Sequence, residues 1–473
     1  MKYENRYEKL RFLQRFIAKN VEKIKKAAPR FELGIKDLQS SALPLGHAAT
    51  NDPKESLRYN NRRKPKSLLI VCNGHGEDII ALEIIKGLLE IKIFSNIEVM
   101  PLVGNGSVFD EITHDNFQKI GFQQVLPSGG FSNQSLKALI LDLKAGMFWY
   151  LLKNFYIVLR KIKDDYNLIA IGDLVPLFFA WFSSCEFGFI GTPKSDYTWM
   201  HGRGNFLLDS YHKCKGTEWD PWEIYLMKSS LCKFVLVRDK ITSRNLKKKK
   251  IDAKYLGNPM MDFIKSKYAV PEEINLYKKI IVLIGSRYPE AHRNLEKFLS
   301  CLDEFEYKNE CLILVPLSPN SDLSFIENQF KTHNFIKNNN AQSLLSEESN
   351  WSKDNLRVLL GRNKFEKWAT VADVGLANAG TATEQISGLG IPALSFPGDG
   401  PQFTKHFAKR QQRLLGDSII VCEDKTILVG KLINLLDDIK LRKEQGKIAM
   451  LRMGKSGASK RIVNYIKLKW SSL

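Results

Sequence analysis

The stretch ADVGLANAGTATEQISGLGIPALSFPGDGPQFTKHF, residues 372–407, predicts a strand, a glycine turn, a helix and a second strand in direct succession. Its apolar run at 374–377 is typical of a buried parallel strand, and the run at 391–396 predicts the next one. The turn that ends at Gly380 presents main-chain N–H groups and the positive end of a helix dipole at one point, which suits a diphosphate. Glycine turns also precede helices for packing reasons alone, so both interpretations stay open.

A second region with the same order of elements begins at Ser67. The apolar run 68–72 predicts a strand, the glycine loop 73–76 follows it, and a helix is predicted to start near Glu77. Further short apolar runs predict strands at 97–103, 167–173, 187–192, 234–239, 280–284, 311–315 and 357–360. Because strands alternate with helices in two separate series, the predicted fold class is α/β, with two doubly wound domains.

The carboxyl ends of these predicted strands carry the candidate binding loops. Ligands of doubly wound sheets bind outside the carboxyl ends of the strands. The loops 73–77, 285–287 and 380–385, together with Asp173, are therefore predicted to line one cleft between the two domains.

The same patterns divide the chain into four predicted parts. Residues 1–66 are predicted to be a basic extension, partly helical or disordered, and residues 67–262 an N-terminal Rossmann-like domain. Residues 279–435 are predicted to be a C-terminal Rossmann-like domain, and residues 436–473 C-terminal helices. Within the second domain, the polar segment 338–354 is predicted to be a surface loop.

The chain is strongly basic, with a net charge of +20 and a pI near 9.4. Residues 1–66 hold 17 basic and 7 acidic residues and so contribute half of that charge. Such a balance suits nucleic acid, anionic lipid or an anionic substrate, and nucleic acid is disfavoured because no recognised binding module is present. Seven scattered cysteines without a C-x-x-C pair favour a reducing compartment over a zinc ribbon or a disulfide framework.

Residues 131–163 predict a helix pair in which aromatic and apolar side chains are interleaved with lysine and arginine. This pattern is typical of a membrane-facing surface and equally of domain packing, and both interpretations stay open. No signal peptide is predicted, because charges interrupt residues 1–30. The apolar run 174–185 is shorter than the ~20 residues of a membrane span and is predicted to be a buried helix. We expect a cytoplasmic protein with peripheral attachment to the cytoplasmic membrane face.

Three motifs carry a resemblance to the lipid-A-disaccharide synthases and the proteins related to them. Gly285-Ser286-Arg287-Tyr288-Pro289-Glu290 resembles the G-S-R-x-x-E motif of that family. The segment 255–262, YLGNPMMD, resembles V-G-H-P-x-x-D, with Asn258 at the usual histidine. The segment 379–383, AGTAT, together with Pro392, resembles S-G-T-A-T…P. The resemblance covers about residues 67–460, and the chain is more distantly similar to the transferase that adds GlcNAc to form lipid II.

This resemblance implies the GT-B fold, in which two Rossmann-like domains face a cleft and the second domain holds the sugar nucleotide. It implies that Glu384 or Gln385 contacts the ribose, with Gln385 standing where the family has glutamate. The uracil would lie along Arg362 to Phe365 against main-chain atoms, and Gln402 would contact the donor sugar. The remaining implied donor-site residues lie in the two glycine-containing motifs and are Gly285, Ser286, Arg287, Gly380, Thr381 and Ala382. No metal and no cofactor is implied beyond the UDP-sugar substrate.

The implied activity is transfer of a sugar from a UDP-sugar to a lipid or lipid-linked acceptor by direct displacement. Asp173 or His75 would act as the base on the acceptor side. The alternative to a catalytic role is a purely structural one, in which Asp173 caps the following helix and His75 donates a hydrogen bond to a main-chain carbonyl. Two alternatives stay open, a UDP-sugar 2-epimerase and a non-catalytic protein that binds sugar nucleotides or lipids.

Overall fold

The computed structural model describes residues 66–74, 76–124, 136–162, 165–202, 204, 206–264, 270–339, 343–398, 400 and 403–471. The predictions made for residues 1–65, His75 and Gln402 lie outside these ranges. Within them the chain forms two open sheets, and each sheet is covered by helices on both faces. The predicted pair of doubly wound α/β domains is therefore confirmed.

Within the described residues, the first sheet has seven parallel strands: β1 Ser67–Cys72, β2 Ile97–Pro101, β3 Phe117–Lys119, β4 Tyr166–Gly172, β5 Glu186–Gly191, β6 Cys232–Val237 and β7 Ala253–Lys254. They lie in the order β3-β2-β1-β4-β5-β6-β7. The helices of this domain are α1 Gly76–Ile91, α2 Leu136–Lys144, α3 Met147–Lys161, α4 Leu174–Phe182, α5 Tyr197–Met200, α6 Phe206–Lys215, α7 Pro221–Met227 and α8 Lys240–Lys248. The strand order changes direction between β1 and β4, which is where ligands bind in such sheets.

The second sheet has eight strands in the described part of the chain: β8 Lys278–Leu283, β9 Cys311–Leu317, β10 Ile336–Lys337, β11 Ser349–Lys353, β12 Leu356–Arg362, β13 Val374–Ala377, β14 Ala393–Ser395 and β15 Ile419–Val421. Their order is β10-β11-β12-β9-β8-β13-β14-β15. The helices among them are α9 Glu290–Leu302, α10 Leu323–Thr332, α11 Phe365–Ala369, α12 Thr381–Gly388 and α13 Lys405–Leu415. Here the order changes direction between β8 and β13, which places the switch point beside Gly380.

The prediction of a surface loop at 338–354 is wrong for residues 349–353. Residues Ser349–Lys353 form β11, which pairs antiparallel with both β10 and β12. Trp351 is fully buried, and its indole N–H donates to Ser349 Oγ at 2.6 Å. The segment resembles a loop in sequence because its buried side chains include the polar Ser349 and Asn350 and only one large apolar residue, Trp351.

Three helices complete the chain: α14 Lys425–Asp437, α15 Ile439–Met453 and α16 Ala458–Ser471. Helix α15 packs against α12 of the second domain. Helix α16 returns to the first domain, where Ile462, Val463 and Ile466 are buried in the same core as β1 and α1. The last helix therefore ties the two domains together.

Of the helix pair predicted at 131–163, the described residues 136–162 contain α2 and α3, and residues 131–135 and 163 lie outside the described ranges. The predicted buried helix at 174–185 is present as α4. Tyr150, Phe155 and Val158 of α3 are buried. In α4, Leu177 and Phe179 are buried against the same core. None of the helices in the described ranges combines the length and apolarity that crossing a bilayer requires.

Candidate active site

Two helix N-termini meet at the cleft between the domains. Helix α1 begins at Gly76 in the first glycine loop, and α12 begins at Thr381 after the Gly380 turn. A methyl group added to Gly76 would lie 3.4 Å from Thr381 Oγ1, so the two loops are in near contact. Each terminus carries main-chain N–H groups and the positive end of a helix dipole. The positive ends of both helix dipoles therefore lie at one point of the cleft, where Glu77 and Asp78 of α1 and Glu384 of α12 add carboxylates.

The Gly285 loop lies beside the Gly380 turn on the neighbouring strand. Strands β8 and β13 pair in parallel with Leu283 opposite Ala377, so both loops leave the same edge of the sheet. Gly285 has a φ of +91°, and a Cβ on it would lie 3.4 Å from the main-chain oxygen of Asn378. Glycine is needed there because L side chains rarely adopt that backbone conformation.

A buried amide network holds these loops in place. The side-chain N–H of Asn378 donates to Phe396 O at 2.6 Å, and its oxygen accepts from Ser395 Oγ at 3.2 Å. Asn294 donates to Ile284 O at 3.0 Å from helix α9. The ends of β8, β13 and β14 are thereby joined into one rigid ledge.

Arg287 supplies a cation on this ledge. Its side chain is partly buried, whereas Ser286 is exposed. Burial lowers the pKa of the Arg287 guanidinium to about 10, and the charge of Glu290 opposes that shift. The guanidinium therefore stays charged at neutral pH, and an added anion gains more from it than from a fully hydrated cation.

Glu290, the last residue of the G-S-R-x-x-E motif, holds the segment that follows β14. Its carboxylate is buried and accepts from the main-chain N–H of Phe403 at 2.6 Å. Arg293 donates to Gly400 O at 2.6 Å, and Lys297 donates to Pro397 O at 3.0 Å. Helix α9 thus fixes the two ends of the segment that carries Gln402, whose predicted contact with the donor sugar stays a prediction.

The two predicted ribose contacts have partners across the domain interface. Glu384 accepts from the buried Arg238 at the end of β6, with 2.5 Å between Oε2 and Nη2. Gln385 donates to the main-chain oxygen of Met260 at 2.9 Å. The position of both residues beside Gly380 follows from the sequence. Their contacts with the other domain were not predicted from it. Their contact with a ribose stays a prediction.

Arg362 and Phe365 lie farther along the same sheet edge. Strand β12 is three positions from β13, which corresponds to roughly 14 Å at normal strand spacing. Arg362 forms an ion pair with Glu348 at 2.7 Å, and the Phe365 ring stacks on Phe263 with 5.4 Å between centroids. Both side chains are thus engaged within the protein, and main-chain contact with a uracil stays a prediction.

Asp173 is one of the two predicted bases. It caps helix α4, as the purely structural interpretation of this residue predicts. Its Oδ1 accepts from the main-chain N–H of Val175 at 3.4 Å and from Asn73 Nδ2 at 2.7 Å. The second contact joins the end of β4 to the glycine loop after β1. Asp173 therefore orders the first-domain side of the cleft, and its role as a base stays a prediction, as does that of His75.

Glu77 is a cleft carboxylate that sequence reasoning did not assign a role. It lies in the first turn of α1, directly after Gly76, and accepts from Thr192 Oγ1 at 3.0 Å. Burial raises the pKa of Glu77 to about 7, and the charges of Asp173 and Asp78 add to the rise. Its position in the loop 73–77, which the sequence predicts to line the cleft, could have identified Glu77 as a candidate site residue.

A metal-binding arrangement is not found in the parts of the chain that the structure describes, where no three His, Cys, Asp or Glu side chains are grouped to hold an ion. On the second-domain side, the cleft carries Arg287 and the N-terminus of α12. On the first-domain side, it carries the N-terminus of α1 together with the carboxylates Glu77 and Asp173.

No protein-family model and no curated protein sequence matches the chain. Solved structures do match, among them CalG4, the calicheamicin glycosyltransferase, with a TM-score of 0.55 at 11% identity over 87% of this chain and 99% of that chain. Staphylococcus aureus MnaA in complex with UDP matches with 0.52 at 15% identity, over 86% and 98% of the two chains. A UDP-N-acetylglucosamine 2-epimerase matches with 0.52 at 14%, over 87% and 97%. The chain has the GT-B fold.

In this GT-B chain the V-G-H-P-x-x-D motif forms the joint between the domains. Asp262 accepts from the main-chain N–H groups of Gly457 at 2.5 Å and Ser459 at 2.6 Å, so it caps α16. Asn258 is buried and accepts from Met260 N at 3.1 Å. An asparagine suits this position because its side chain caps the short turn that follows.

Proposed function

We propose that this chain is a glycosyltransferase that moves a sugar from a UDP-sugar to a lipid or lipid-linked acceptor, like the lipid-A-disaccharide synthases that its motifs resemble. The observation that carries the proposal is the near contact of Gly76 and Thr381 across the cleft, where a methyl group on Gly76 would lie 3.4 Å from Thr381 Oγ1. It brings the N-termini of α1 and α12 to one point beside Arg287. A diphosphate suits the N-terminus of α12 at that point, because its main-chain N–H groups and the Arg287 guanidinium match the negative charge.

The chemistry of the donor side follows from charge. Direct displacement at the anomeric carbon leaves negative charge on the diphosphate of UDP. Arg287 and the main-chain N–H groups at Gly380 and Thr381 would stabilise that charge as it develops. The donors are held rigidly by the amide network around Asn378, so little reorganisation is needed when the bond breaks.

The acceptor side supports a lipid surface as partner. Helices α2 and α3 expose four large apolar side chains, namely Ile140, Leu141, Leu143 and Phe148. Lys144, Lys153 and Arg160 are exposed on the same helices. Apolar side chains ringed by cations are typical of surfaces that bind anionic lipid. We propose peripheral attachment to the cytoplasmic face of a membrane through this surface, called here the α2–α3 surface.

A second candidate is epimerisation of a UDP-sugar, because the GT-B fold is shared with a UDP-N-acetylglucosamine 2-epimerase. A third is binding without turnover, which the interdomain partners of Glu384 and Gln385 favour. A transferase, an epimerase and a binding protein differ in the product that they form from the same donor.

One experiment separates the three. Purified full-length protein is incubated with radiolabelled UDP-GlcNAc, UDP-glucose or UDP-galactose, each with and without an extracted lipid fraction. Label that moves into the organic phase supports transfer, and an epimeric UDP-sugar formed without lipid supports the epimerase. UDP binding by calorimetry with neither product supports a binding protein. Lipid extracts from cells with and without the protein then identify a missing glycolipid.

A further inference from the structure

The acceptor side of the cleft holds two carboxylates, Asp173 and Glu77, which differ in their hydrogen-bond partners and in their position relative to the second domain. Asp173 is bound by Asn73 and by the start of α4, so its hydrogen bonds hold two elements in place. Glu77 lies one residue after Gly76, beside the point where α1 approaches Thr381 of the second domain. Its carboxylate accepts a hydrogen bond from the hydroxyl of Thr192 at 3.0 Å. Glu77 is thus the carboxylate nearer in sequence to the contact between the domains.

We propose that Glu77 accepts the proton of the attacking acceptor hydroxyl, an inference that rests on the proposed transfer reaction. The hydroxyl oxygen forms a bond to the anomeric carbon of the donor sugar. The bond from that carbon to the phosphate oxygen breaks, and its electron pair leaves with UDP. The hydroxyl proton moves to the Glu77 carboxylate, so charge and atoms balance. Asp173 is then a positioning residue that orders Asn73 and α4.

The proton affinity of Glu77 fits this task. Burial raises its pKa to about 7, hydrogen bonds from its own main chain and from Thr192 lower it, and the charges of Asp173 and Asp78 raise it again. A base whose pKa lies near the working pH is most effective, because it is partly ionised and still binds a proton well.

Further groups face Glu77 from the elements packed against it. The buried thiol of Cys72 lies at the end of β1 and interacts with Glu77 and Asp78. Arg238 donates to the main-chain oxygen of Thr192 at 3.3 Å, and its charge is matched by Glu384. From the second domain the neighbour is the uncharged Thr381. Burial is the main reason that Glu77 holds its proton near neutral pH, and the charges of Asp173 and Asp78 add to that effect.

The test compares Glu77→Gln with Glu90→Gln, a variant of an exposed carboxylate on the same helix. UDP release from the most active UDP-sugar is measured from pH 5 to 9 with lipid extract as acceptor. In wild type and Glu90→Gln, the rate of UDP release should rise with pH, with the midpoint of this rising limb near pH 7. Glu77→Gln should lose that limb and at least about a hundredfold in turnover, within the range that a general base contributes. Glu77→Asp should recover part of the turnover together with the limb.

A second variant guards against misfolding. Thr192→Val preserves the shape of the side chain and removes the hydrogen bond that stabilises the ionised form of Glu77. The limb should therefore move to higher pH, which a purely structural role of Glu77 would not produce. Circular dichroism confirms that each variant is folded.

UDP binding by calorimetry distinguishes the failure of this inference from that of the proposed function. Equal UDP affinity in wild type and Glu77→Gln, with the limb lost in the variant, supports the inference. An unchanged limb in Glu77→Gln overturns it and leaves transfer standing, and loss of the limb in Asp173→Asn or His75→Ala instead reassigns the base. A wild type that binds no UDP, or binds it and releases none from any donor, overturns both.

Discussion

Arg238 and Glu384 form a buried ion pair that joins the two domains. The distance from Nη2 to Oε2 is 2.5 Å, and the side chains are 4% and 14% exposed. Glu384 lies in the first turn of α12, whose N-terminus is the candidate diphosphate site. The geometry of that site therefore depends on a contact made by a residue from the other domain.

Breaking this pair should destabilise the protein strongly. Glu384→Gln removes the carboxylate that is hydrogen-bonded to the buried Arg238 guanidinium, which costs about 3–5 kcal/mol for a typical buried pair. Arg238→Met combined with Glu384→Gln removes both charges and should cost less than the sum of the single variants. Urea unfolding of the four proteins gives the coupling free energy.

The exposed pair Lys405–Glu423 provides the control, because its side chains are 60% and 66% exposed. Glu423→Gln should leave the free energy of unfolding nearly unchanged, because exposed ion pairs contribute little. Equal effects of Glu384→Gln and Glu423→Gln would mean that the buried pair does not hold the domains together.

Arg287→Ala should weaken UDP binding. Loss of a charge-assisted contact to the diphosphate costs about 1.5–3 kcal/mol, which is roughly a ten- to hundredfold rise in Kd. Arg362→Ala is the matched control, since the Arg362 side chain pairs with Glu348 and any uracil contact there is expected from the main chain. Calorimetric titration that returns the same Kd for wild type and Arg287→Ala would contradict the donor-site assignment.

The stability of the protein should depend on pH through Glu77. The pKa of this carboxyl is about 7 in the folded state against 4.5 for the unfolded chain, so the folded state binds the proton more tightly. Its favourable contribution is complete below pH 4.5 and is lost as the pH rises through 7. Relative to Glu77→Gln, wild type should therefore lose stability between about pH 5 and 8, by about 1–3 kcal/mol given its partial exposure.

Urea unfolding at about pH 5, 6, 7 and 8 measures this difference directly. Glu90→Gln, on the exposed side of the same helix, should show no such trend. A stability gap between wild type and Glu77→Gln that stays constant with pH would mean that Glu77 titrates in its ordinary range.

Asp262→Ala should loosen the last helix. Removal of an N-cap side chain costs about 0.5–2 kcal/mol, and this cap also anchors α16 to the first domain. Asp322→Ala removes the N-cap of α10, where Asp322 accepts from Phe325 N at 3.2 Å, and serves as the matched control. Amide exchange should accelerate across residues 458–471 in Asp262→Ala alone. Equal protection of α16 in both variants would show that Asp262 does not anchor it.

The α2–α3 surface should bind anionic vesicles in a salt-dependent way. Each basic side chain near the surface contributes about 1 kcal/mol, and the attraction fades as salt screens it. Replacing Lys144, Lys153 and Arg160 by glutamine should therefore release the protein from phosphatidylglycerol vesicles in a sedimentation assay.

A charge-matched control replaces Lys247, Lys248 and Lys250, which are exposed at and just beyond the end of α8. These changes should leave sedimentation nearly unaffected, because that helix end lies outside the α2–α3 surface. Wild-type protein that stays in the supernatant at low salt would contradict the surface as the attachment site. Equal release of both triple variants from the vesicles would also contradict it.

Much of the fold follows from local patterns of the chain. The apolar run at 374–377, the Gly380 turn and the helix after it lie where the sequence predicts them, because a buried strand and a glycine turn are encoded by neighbouring residues. Strand β11 does not follow from the sequence, because pairing at a sheet edge depends on a partner strand and leaves a weak local signal. Trp351 was the available hint, since a large aromatic in a polar segment needs a buried place.

The candidate site divides in the same way. Local sequence determined the two glycine loops, Arg287 between a strand and a helix, and Asp173 as a helix cap, since each depends on residues a few positions apart. The ion pair of Arg238 with Glu384 and the proton affinity of Glu77 depend on burial between segments over a hundred positions apart. Only the tertiary structure decides these, because desolvation and pairing energies arise when distant segments of the chain pack against one another.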